Sequence, residues 1–487
     1  MTTDLLNTTD WSAKALAGEW KALSGGQIDV IEPATGQVLA QVALANAQDV
    51  QASARLARQA QKTWAAMPYG ERAKVFRKAS ELLEANRQAF ATWIIRETGG
   101  ILPKAMFEID SVVHHCHEAA AMLTQSRGLV LPSVDGVTSL ARRVPHGVVG
   151  VISPFNFPFL LSSRAVLPAL ATGNAVILKP DARTPVSGGV ILALMLEAAG
   201  LPRGVLHMLP GAAEAGEALV TDPNVTMISF TGSTAVGRRV GELAGKHLKK
   251  VALELGGKNS LIILDDADLE MAICGGSWAS WLHQGQICMS AGRHLVHRNL
   301  YETYAARMAE KAKALPVGDP HTQPVALGPI ITTAQVQRVD RIVQESIRMG
   351  AKLLAGGTPN GQFYPATVLS EVTPDMPVFR EEIFGPVVAI SAFDSDSQAV
   401  ALANDSEYGL SAGIHTQNIG RGMALGEQLN VGLLHINDQT VNDDGTMPMG
   451  GRGASGNGSR HGGPANWDEF TQWQWTTIRN AAPAYPL

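Results

Sequence analysis

Residues 147–180 of the chain read GVVGVISPFNFPFLLSSRAVLPALATGNAVILKP. This stretch contains the first two of five short apolar runs, which alternate along the chain with helical stretches such as Val186–Ala199 and Ala235–Gly245. Such alternation is typical of βαβ units, whose strands lie parallel in one sheet. The sequence therefore predicts an α/β fold with a doubly wound parallel sheet. Its predicted strands are Val148–Ser153, Ala175–Lys179, Val205–Leu209, Met227–Phe230 and Val251–Glu254.

The regions on both sides of this sheet show helical periodicity. Upstream, Asp49–Ala66 and Glu71–Thr98 are predicted as helices, the second ending at Gly99-Gly100. Downstream of Gly257 a second alternation begins, which predicts a second α/β domain. Its predicted elements are a strand at Leu261–Leu264, helices at Asp268–His283 and Leu300–Leu315, and a strand at Gly432–Asn437.

Length and composition exclude several classes of protein. The 487 residues allow two or three domains at about 100–200 residues each. Lys and Arg total 39 against 44 Asp and Glu, so the net charge is −5 and a nucleic-acid partner is not expected. Hydrophobic residues make up 45% and charged residues 17%, which is typical of an ordered globular chain.

The cysteines and the N-terminus indicate a cytoplasmic protein. Three cysteines are too few for a disulfide framework, which favours a reducing compartment. Met1–Trp11 lacks the basic start and apolar stretch of a secretory signal. Gly147–Leu161 is interrupted by prolines and falls short of the ~18 apolar residues of a membrane helix. We therefore expect no membrane segment.

Two strand ends and the segments around Cys288 and Cys116 are considered as sites. Gly211 and the run Phe230-Thr231-Gly232-Ser233 follow predicted strands, where a helix N-terminus could hold a diphosphate or simply be capped. Cys288 lies in a predicted loop, and from its neighbours alone it is either a structural or a reactive thiol. The run His114-His115-Cys116-His117 cannot close on one ion from a helix, so no metal site is expected.

Six motifs in fixed order resemble those of the aldehyde dehydrogenase superfamily over essentially the whole chain. Within that superfamily the chain is most similar to the bacterial benzaldehyde dehydrogenases, notably in Gly147–Phe157, His283–His297 and Gly462-Gly463-Pro464. The six motifs are residues 154–158 (PFNFP), 178–180 (LKP), 230–233 (FTGS), 253–258 (LELGGK), 285–288 (GQIC) and 382–387 (EIFGPV).

The resemblance implies three catalytic residues. Cys288 would attack the aldehyde carbon, which requires a lowered thiol pKa or a base that takes its proton. The Asn156 amide and the Cys288 backbone N–H would hold the oxyanion, and hydride transfer to a nicotinamide would leave a thioester. Glu254 would activate the water that hydrolyses it, which favours a free carboxylic acid over transfer to coenzyme A.

The resemblance also implies a dinucleotide site. Lys179 would lie at the adenosine ribose, Ser233 at the diphosphate, and Glu382 and Phe384 at the nicotinamide end. Many NAD-dependent members carry a glutamate where this chain has Ala182, and Arg183 could attract a 2′-phosphate. NAD is the expected cofactor, with NADP left open. The other expected cofactor-binding residues are Ser153, Phe155, Gly211 and Gly232.

The resemblance implies a small aldehyde, of the aromatic class, as the substrate. The positions implied to line the aldehyde tunnel are mostly apolar and suit a flat ring. Arg164 is the exception, and it fits either a ring substituent or a structural salt bridge. Benzaldehyde, a vanillin-like substituted benzaldehyde and an aliphatic aldehyde all remain open. The tunnel positions are Phe157, Leu161, Arg164, Ile287, Met289 and Met449.

The family architecture implies three domains. Two rival functions also stay open. Residues 1–127 and 147–254 would bind the dinucleotide, residues 255–466 would carry Cys288, and residues 128–146 and 467–487 would form a β extension for a homodimer or homotetramer. One rival is a non-catalytic nucleotide-binding protein. The other is a cysteine hydrolase with a histidine base, for which His283 on a predicted helix is the nearest candidate in sequence.

Overall fold

A computed structural model describes residues 5–486. The ends of the predicted domains, residues 1–4 and 487, lie outside the described residues. Within the described part, no helix is both long enough and apolar enough to cross a membrane.

The predicted doubly wound sheet is present with seven strands. Its five central strands are parallel, and two short N-terminal strands extend one edge in antiparallel fashion. Strand Val148–Ile152 comes first in the chain but lies in the middle of the parallel set, so the winding direction reverses beside it. The spatial order is Lys250–Glu254, Met227–Thr231, Val148–Ile152, Ala175–Lys179, Leu206–Met208, Ala15–Leu16 and Trp20–Lys21.

A second seven-stranded sheet confirms the predicted second α/β region. All neighbouring strands are parallel except the first pair, which is antiparallel. The order is Lys352–Ala355, Thr367–Ser370, Val387–Phe393, Ala291–His297, Asn259–Ile263, Ser411–His415 and Leu433–Ile436.

Three small antiparallel sheets complete the fold. One has three strands, with Val137–Pro145 in the middle and Gly128–Leu131 and Thr471–Arg479 on either side. The segments around residues 128–146 and 467–487, which are predicted to form an extension, therefore pair with each other. The functional division into three domains stays a prediction. The two-stranded sheets are Gln27–Ile31 with Val38–Ala43, and Tyr408–Gly409 with Arg452–Gly453.

Helices cover the faces of both large sheets, and apolar clusters fill the space between them. The α-helices are Thr8–Trp11, Ala47–Ala66, Tyr69–Ala85, Arg87–Thr98, Leu102–Met122, Pro158–Ala171, Ile191–Ala198, Ala213–Thr221, Thr234–Lys246, Leu269–Trp281, Arg298–Ala314, Thr333–Arg348, Pro377–Arg380, Asp396–Asn404, Ile419–Gly426 and Ala465–Phe470. A π turn, Val186–Val190, and a 3₁₀ turn, Leu282–Gly285, are also present.

Two helix predictions were wrong at a single point each. The helix predicted over Glu71–Thr98 is broken at Asn86, whose side-chain amide donates to the Leu82 carbonyl at 2.7 Å and so replaces a helical backbone bond. The helix predicted to reach His283 ends at Trp281, because His283 and Gln284 have φ values of +50° and +56°. His283 therefore lies in a tight turn.

A fully buried ion pair fixes the start of helix Pro158–Ala171, the helix that follows the Asn156 loop. The Lys104 ammonium lies 2.5 Å from the Glu108 carboxylate, and both side chains are inaccessible to solvent. Glu108 also accepts hydrogen bonds from the backbone N–H groups of Phe159 and Leu160 at 3.0 and 3.1 Å. The carboxylate thus satisfies free donors of the first helical turn.

Replacing Glu108 should therefore destabilise the protein strongly. Glu108→Ala would leave a buried ammonium and two N–H groups unpaired, with an expected loss of about 3–5 kcal/mol and a lower thermal midpoint. Glu118→Ala is the matched control, since Glu118 lies on the same helix with its side chain 32% exposed. A midpoint for Glu108→Ala equal to that of the control contradicts this role.

Candidate active site

The loop after the central strand Val148–Ile152 carries Asn156, which connects the two large sheets. Its side-chain amide donates to the Gln286 carbonyl at 2.9 Å. The Asn259 amide, at the start of a strand of the second sheet, donates to the Cys288 carbonyl at 2.8 Å. Two buried amides therefore fix the segment that carries the thiol, and one N–H of Asn156 is left for another acceptor.

Cys288 and Asn156 lie where two cavities meet. A cleft of about 470 Å³ opens beyond the ends of the first sheet's strands, at the reversal in strand order. A second, mainly apolar cavity of about 290 Å³ lies on the other side of the thiol. Both residues line both cavities, so a group bound on either side reaches the same sulfur.

Burial controls the charge of the two candidate reacting side chains. It raises the pKa of the Cys288 thiol to about 12, with the Glu382 carboxylate adding to the rise and Arg164 opposing it. Burial likewise raises the pKa of Glu254 to about 8, again against the pull of Arg164. Among the described residues neither carboxylate oxygen of Glu254 has a hydrogen bond of good geometry, and the Gly451 backbone opposes the rise in its pKa only weakly. The thiol is therefore protonated at neutral pH, so attack requires a base.

The large cleft contains all but one of the predicted dinucleotide-binding residues. Its floor includes the N-terminus of helix Thr234–Lys246, where Ser233 is the cap residue and free backbone N–H groups can receive an anion. Phe155 and Phe384 pack edge to face at 5.8 Å, and Phe384 is held at a φ of +54°. The predicted residues that line the cleft are Ser153, Phe155, Lys179, Gly232, Ser233, Glu382 and Phe384.

Gly211 is the exception and does not line this cleft. A side chain at Gly211 would meet Ala215 and the Ala45 carbonyl, so the residue serves the packing of its loop. Sequence reasoning missed Asp181, which lines the cleft together with Arg183, the residue considered for a 2′-phosphate. The Arg183 guanidinium donates to the Asp181 carboxylate at 2.8 and 2.7 Å and lies 4.0 Å from the centre of the Phe155 ring. The cleft's volume, its position at the strand reversal and the backbone N–H donors in its floor fit a dinucleotide.

All six predicted tunnel residues line the smaller cavity. Phe157, Leu161, Ile287, Met289 and Met449 also form one buried apolar cluster. Arg164 forms a salt bridge with Asp443. Residues distant in sequence complete the wall, and no local sequence signal pointed to them; they include Pro103, Phe107, Trp278 and Asp443.

The histidine and cysteine motifs outside the site have other surroundings. His283 packs edge to face on the Phe157 ring at 5.4 Å. Neither His283 nor Glu254 lines either of the two cavities that contain Cys288. Cys116 is buried, and His115 contacts the Ser163 hydroxyl at 3.0 Å. Over residues 5–486, no cluster of three metal-ligating side chains is present.

The site combines a cleft at the strand reversal of a doubly wound sheet with a thiol that lies between this cleft and an apolar cavity. This combination is typical of an enzyme that uses a dinucleotide cofactor and a reactive cysteine. The chain belongs to the aldehyde dehydrogenase family, whose sequence profile it matches over residues 20–476. It is 52% identical to a vanillin dehydrogenase of Amycolatopsis sp. over 99% of both chains. It is 50% identical to the benzaldehyde dehydrogenase [NAD(+)] of Pseudomonas putida over 98% of both chains. The NAD+ complex structure of an aldehyde dehydrogenase from Bacillus cereus superposes with a TM-score of 0.93 at 34% identity, covering 97% of both chains.

Proposed function

We propose that this protein oxidises aromatic aldehydes to carboxylic acids with NAD through the thiol of Cys288. The observation that carries the proposal is the position of Cys288 and Asn156 at the junction of the dinucleotide-sized cleft and the apolar cavity. A small aldehyde in the cavity and a cofactor in the cleft would both reach the sulfur there. The two relatives named above, a vanillin and a benzaldehyde dehydrogenase, support an aromatic substrate.

The first step is attack of the thiol on the aldehyde carbon. As the S–C bond forms, the carbonyl π electrons move to oxygen and the thiol proton passes to a base, for which we assign the Glu254 carboxylate. The free N–H of the Asn156 amide and the backbone N–H of Cys288 would stabilise the oxyanion; one such donor contributes about 2.7–4 kcal/mol to the transition state.

The second half of the reaction is hydrolysis of the resulting thioester. When bound, the nicotinamide supplies the hydride acceptor that converts the first adduct into this thioester. After the proton taken from the thiol has passed from Glu254 to solvent, Glu254 would take a proton from water as the water oxygen bonds to the acyl carbon. The S–C bond then breaks and this proton passes to the Cys288 sulfur. A buried carboxylate with a pKa near 8 suits both proton transfers, because it can bind and release a proton near neutral pH.

The cofactor side favours NAD over NADP. Lys179, Ser233, Glu382 and Phe384 would hold the dinucleotide along the cleft. Arg183, the residue considered for a 2′-phosphate, already carries a bidentate bond to Asp181, so its charge is balanced within the chain. The relative from Pseudomonas putida, which is named for NAD(+), agrees with this choice.

The proposal also includes a homodimer or homotetramer in the cytoplasm. The three-stranded sheet exposes large apolar side chains, which is unusual unless another surface covers them. All three cysteines are free, as a reducing compartment favours. The exposed side chains are Leu129, Val130, Trp473, Trp475 and Ile478.

The activity itself is tested by the absorbance of reduced nicotinamide with benzaldehyde, vanillin and hexanal, each with NAD and with NADP. We expect the fastest reduction with an aromatic aldehyde and NAD. Cys288→Ala should abolish reduction and leave dinucleotide binding nearly intact, because the sulfur is one atom at the edge of the cleft. Cys274→Ala, at an exposed cysteine, is the control and should keep full activity. Absence of reduction in every combination would leave a nucleotide-binding protein or an esterase.

Glu254→Gln tests the hydrolytic base. This variant loses the base that we assign to both proton transfers, so the first turnover and the steady-state rate should each fall about 10²–10⁴-fold below the wild type. In the wild type the steady-state rate should rise with pH through about 8, since the carboxylate form is populated above its pKa. Normal turnover in the variant, with the same pH profile, would remove Glu254 from this role.

Assembly is tested by sedimentation of the full chain. Val130→Asp places a charge on the exposed sheet face and should shift the protein toward smaller species. Leu248→Asp is the control, because Leu248 is 96% exposed on a different loop. A monomeric wild type would contradict the proposal.

A further inference from the structure

The apolar cavity contains one ion pair whose role the proposed reaction does not explain. Arg164, on helix Pro158–Ala171, is paired with Asp443, and their side chains are only 8% and 9% exposed. Both line the cavity that contains Cys288. The other charged residue in that wall, Lys104, is already bound by Glu108.

The pair leaves hydrogen-bonding capacity unused. A guanidinium has five N–H donors, yet in the described chain Arg164 has as acceptors only the Asp443 carboxylate and the Met449 sulfur, at 3.3 Å. Sulfur is a weak acceptor. Asp443, for its part, accepts from no described group other than Arg164. Unused N–H donors of Arg164 and unused acceptor sites of Asp443 therefore lie side by side in an otherwise apolar wall.

A buried pair of this kind is not an efficient source of stability. Desolvation of both charges usually offsets their attraction, and apolar replacements are often neutral or stabilising. Polar groups in a mainly apolar pocket instead fix the orientation and identity of a ligand. The position of the pair, beside the reacting thiol, points to recognition of the aldehyde.

We propose that Arg164 and Asp443 together bind a neutral hydroxyl group on the ring of the aromatic aldehyde. The guanidinium would donate to the hydroxyl oxygen and the Asp443 carboxylate would accept the hydroxyl proton in a hydrogen bond. This inference rests on the proposed function and specifies its substrate class as hydroxylated aromatic aldehydes. A ring carboxylate would be disfavoured, because Asp443 already balances the charge of Arg164 and would repel a second anion.

The first test measures binding without turnover. Cys288→Ala prevents covalent addition, and Trp278 in the cavity wall provides a fluorescence signal. Benzaldehyde and its 2-, 3- and 4-hydroxy isomers are titrated into this variant. We expect one isomer to bind about tenfold or more tightly than benzaldehyde, the usual effect of a hydrogen bond to a charged group. Adding Asp443→Asn should remove most of that advantage.

A matched control separates charge from position. Asp444 is the exposed neighbour of Asp443, bonds to Thr446, and does not line this cavity. Asp444→Asn should therefore keep the full preference for the hydroxylated ring. Equal affinity of benzaldehyde and all three isomers, or a preference that survives both Asp443→Asn and Arg164→Met, would overturn the proposal.

Steady-state kinetics give a second readout. Arg164 also acts on Cys288 and Glu254, so Arg164→Met is expected to slow every aldehyde, and only the ratio of kcat/KM for hydroxylated over unsubstituted substrate is informative. That ratio should fall about tenfold in Asp443→Asn, mainly through KM. If no aldehyde is oxidised by the wild type, the proposed function fails; if benzaldehyde is oxidised with an unchanged ratio in the variants, only the present inference fails.

Discussion

The reversal of strand order beside Val148–Ile152 is the constraint from which the site follows. Helices leave the sheet on opposite faces at this point, so the loops after strands Val148–Ile152 and Met227–Thr231 separate and a crevice opens between them. The Asn156 loop crosses this crevice and bonds to the Gln286 carbonyl of the other sheet's loop. The thiol at Cys288 is thereby fixed where the two cavities described above meet.

Burial at that junction sets the chemistry. Desolvation keeps Cys288 a thiol and pushes the pKa of Glu254 to about 8, so both are held in neutral or nearly neutral forms before substrate arrives. A protonated thiol is less open to oxidation than a thiolate, which reacts with oxidants directly. Under the proposed mechanism, the resting protein would thus protect its nucleophile, and the buried Glu254 carboxylate would be the base that activates it. The carboxylates of Glu382 and Glu254 raise the pKa of the Cys288 thiol, and the Arg164 guanidinium lowers it.

Apolar periodicity predicted the five parallel strands of the first sheet, but only two strands of the second, Leu261–Leu264 and Gly432–Asn437. The thiol segment and most cavity residues followed from the resemblance of contiguous motifs to the family. The sequence did not predict features that depend on contacts between residues distant in the chain. The break at Asn86 depends on which carbonyl a side-chain amide reaches, and the packing role of Gly211 depends on Ala45 in a distant loop. Asp443 lies in a segment without regular periodicity, so its approach to Arg164 could not be read from local pattern.

Two arginines, one in each cavity, share an arrangement that only the folded structure reveals. Arg164 in the apolar cavity and Arg183 in the cleft are each paired with an aspartate, Asp443 and Asp181, of the same wall. An unpaired arginine would attract anions, such as a ring carboxylate on one side or a 2′-phosphate on the other. Pairing cancels the charge but leaves N–H donors and carboxylate lone pairs side by side. Such a pair matches a neutral hydroxyl, which both donates and accepts, and a ribose or a phenol supplies that group. Under the two proposals, the same electrostatic arrangement would favour NAD in the cleft and a hydroxylated ring in the cavity.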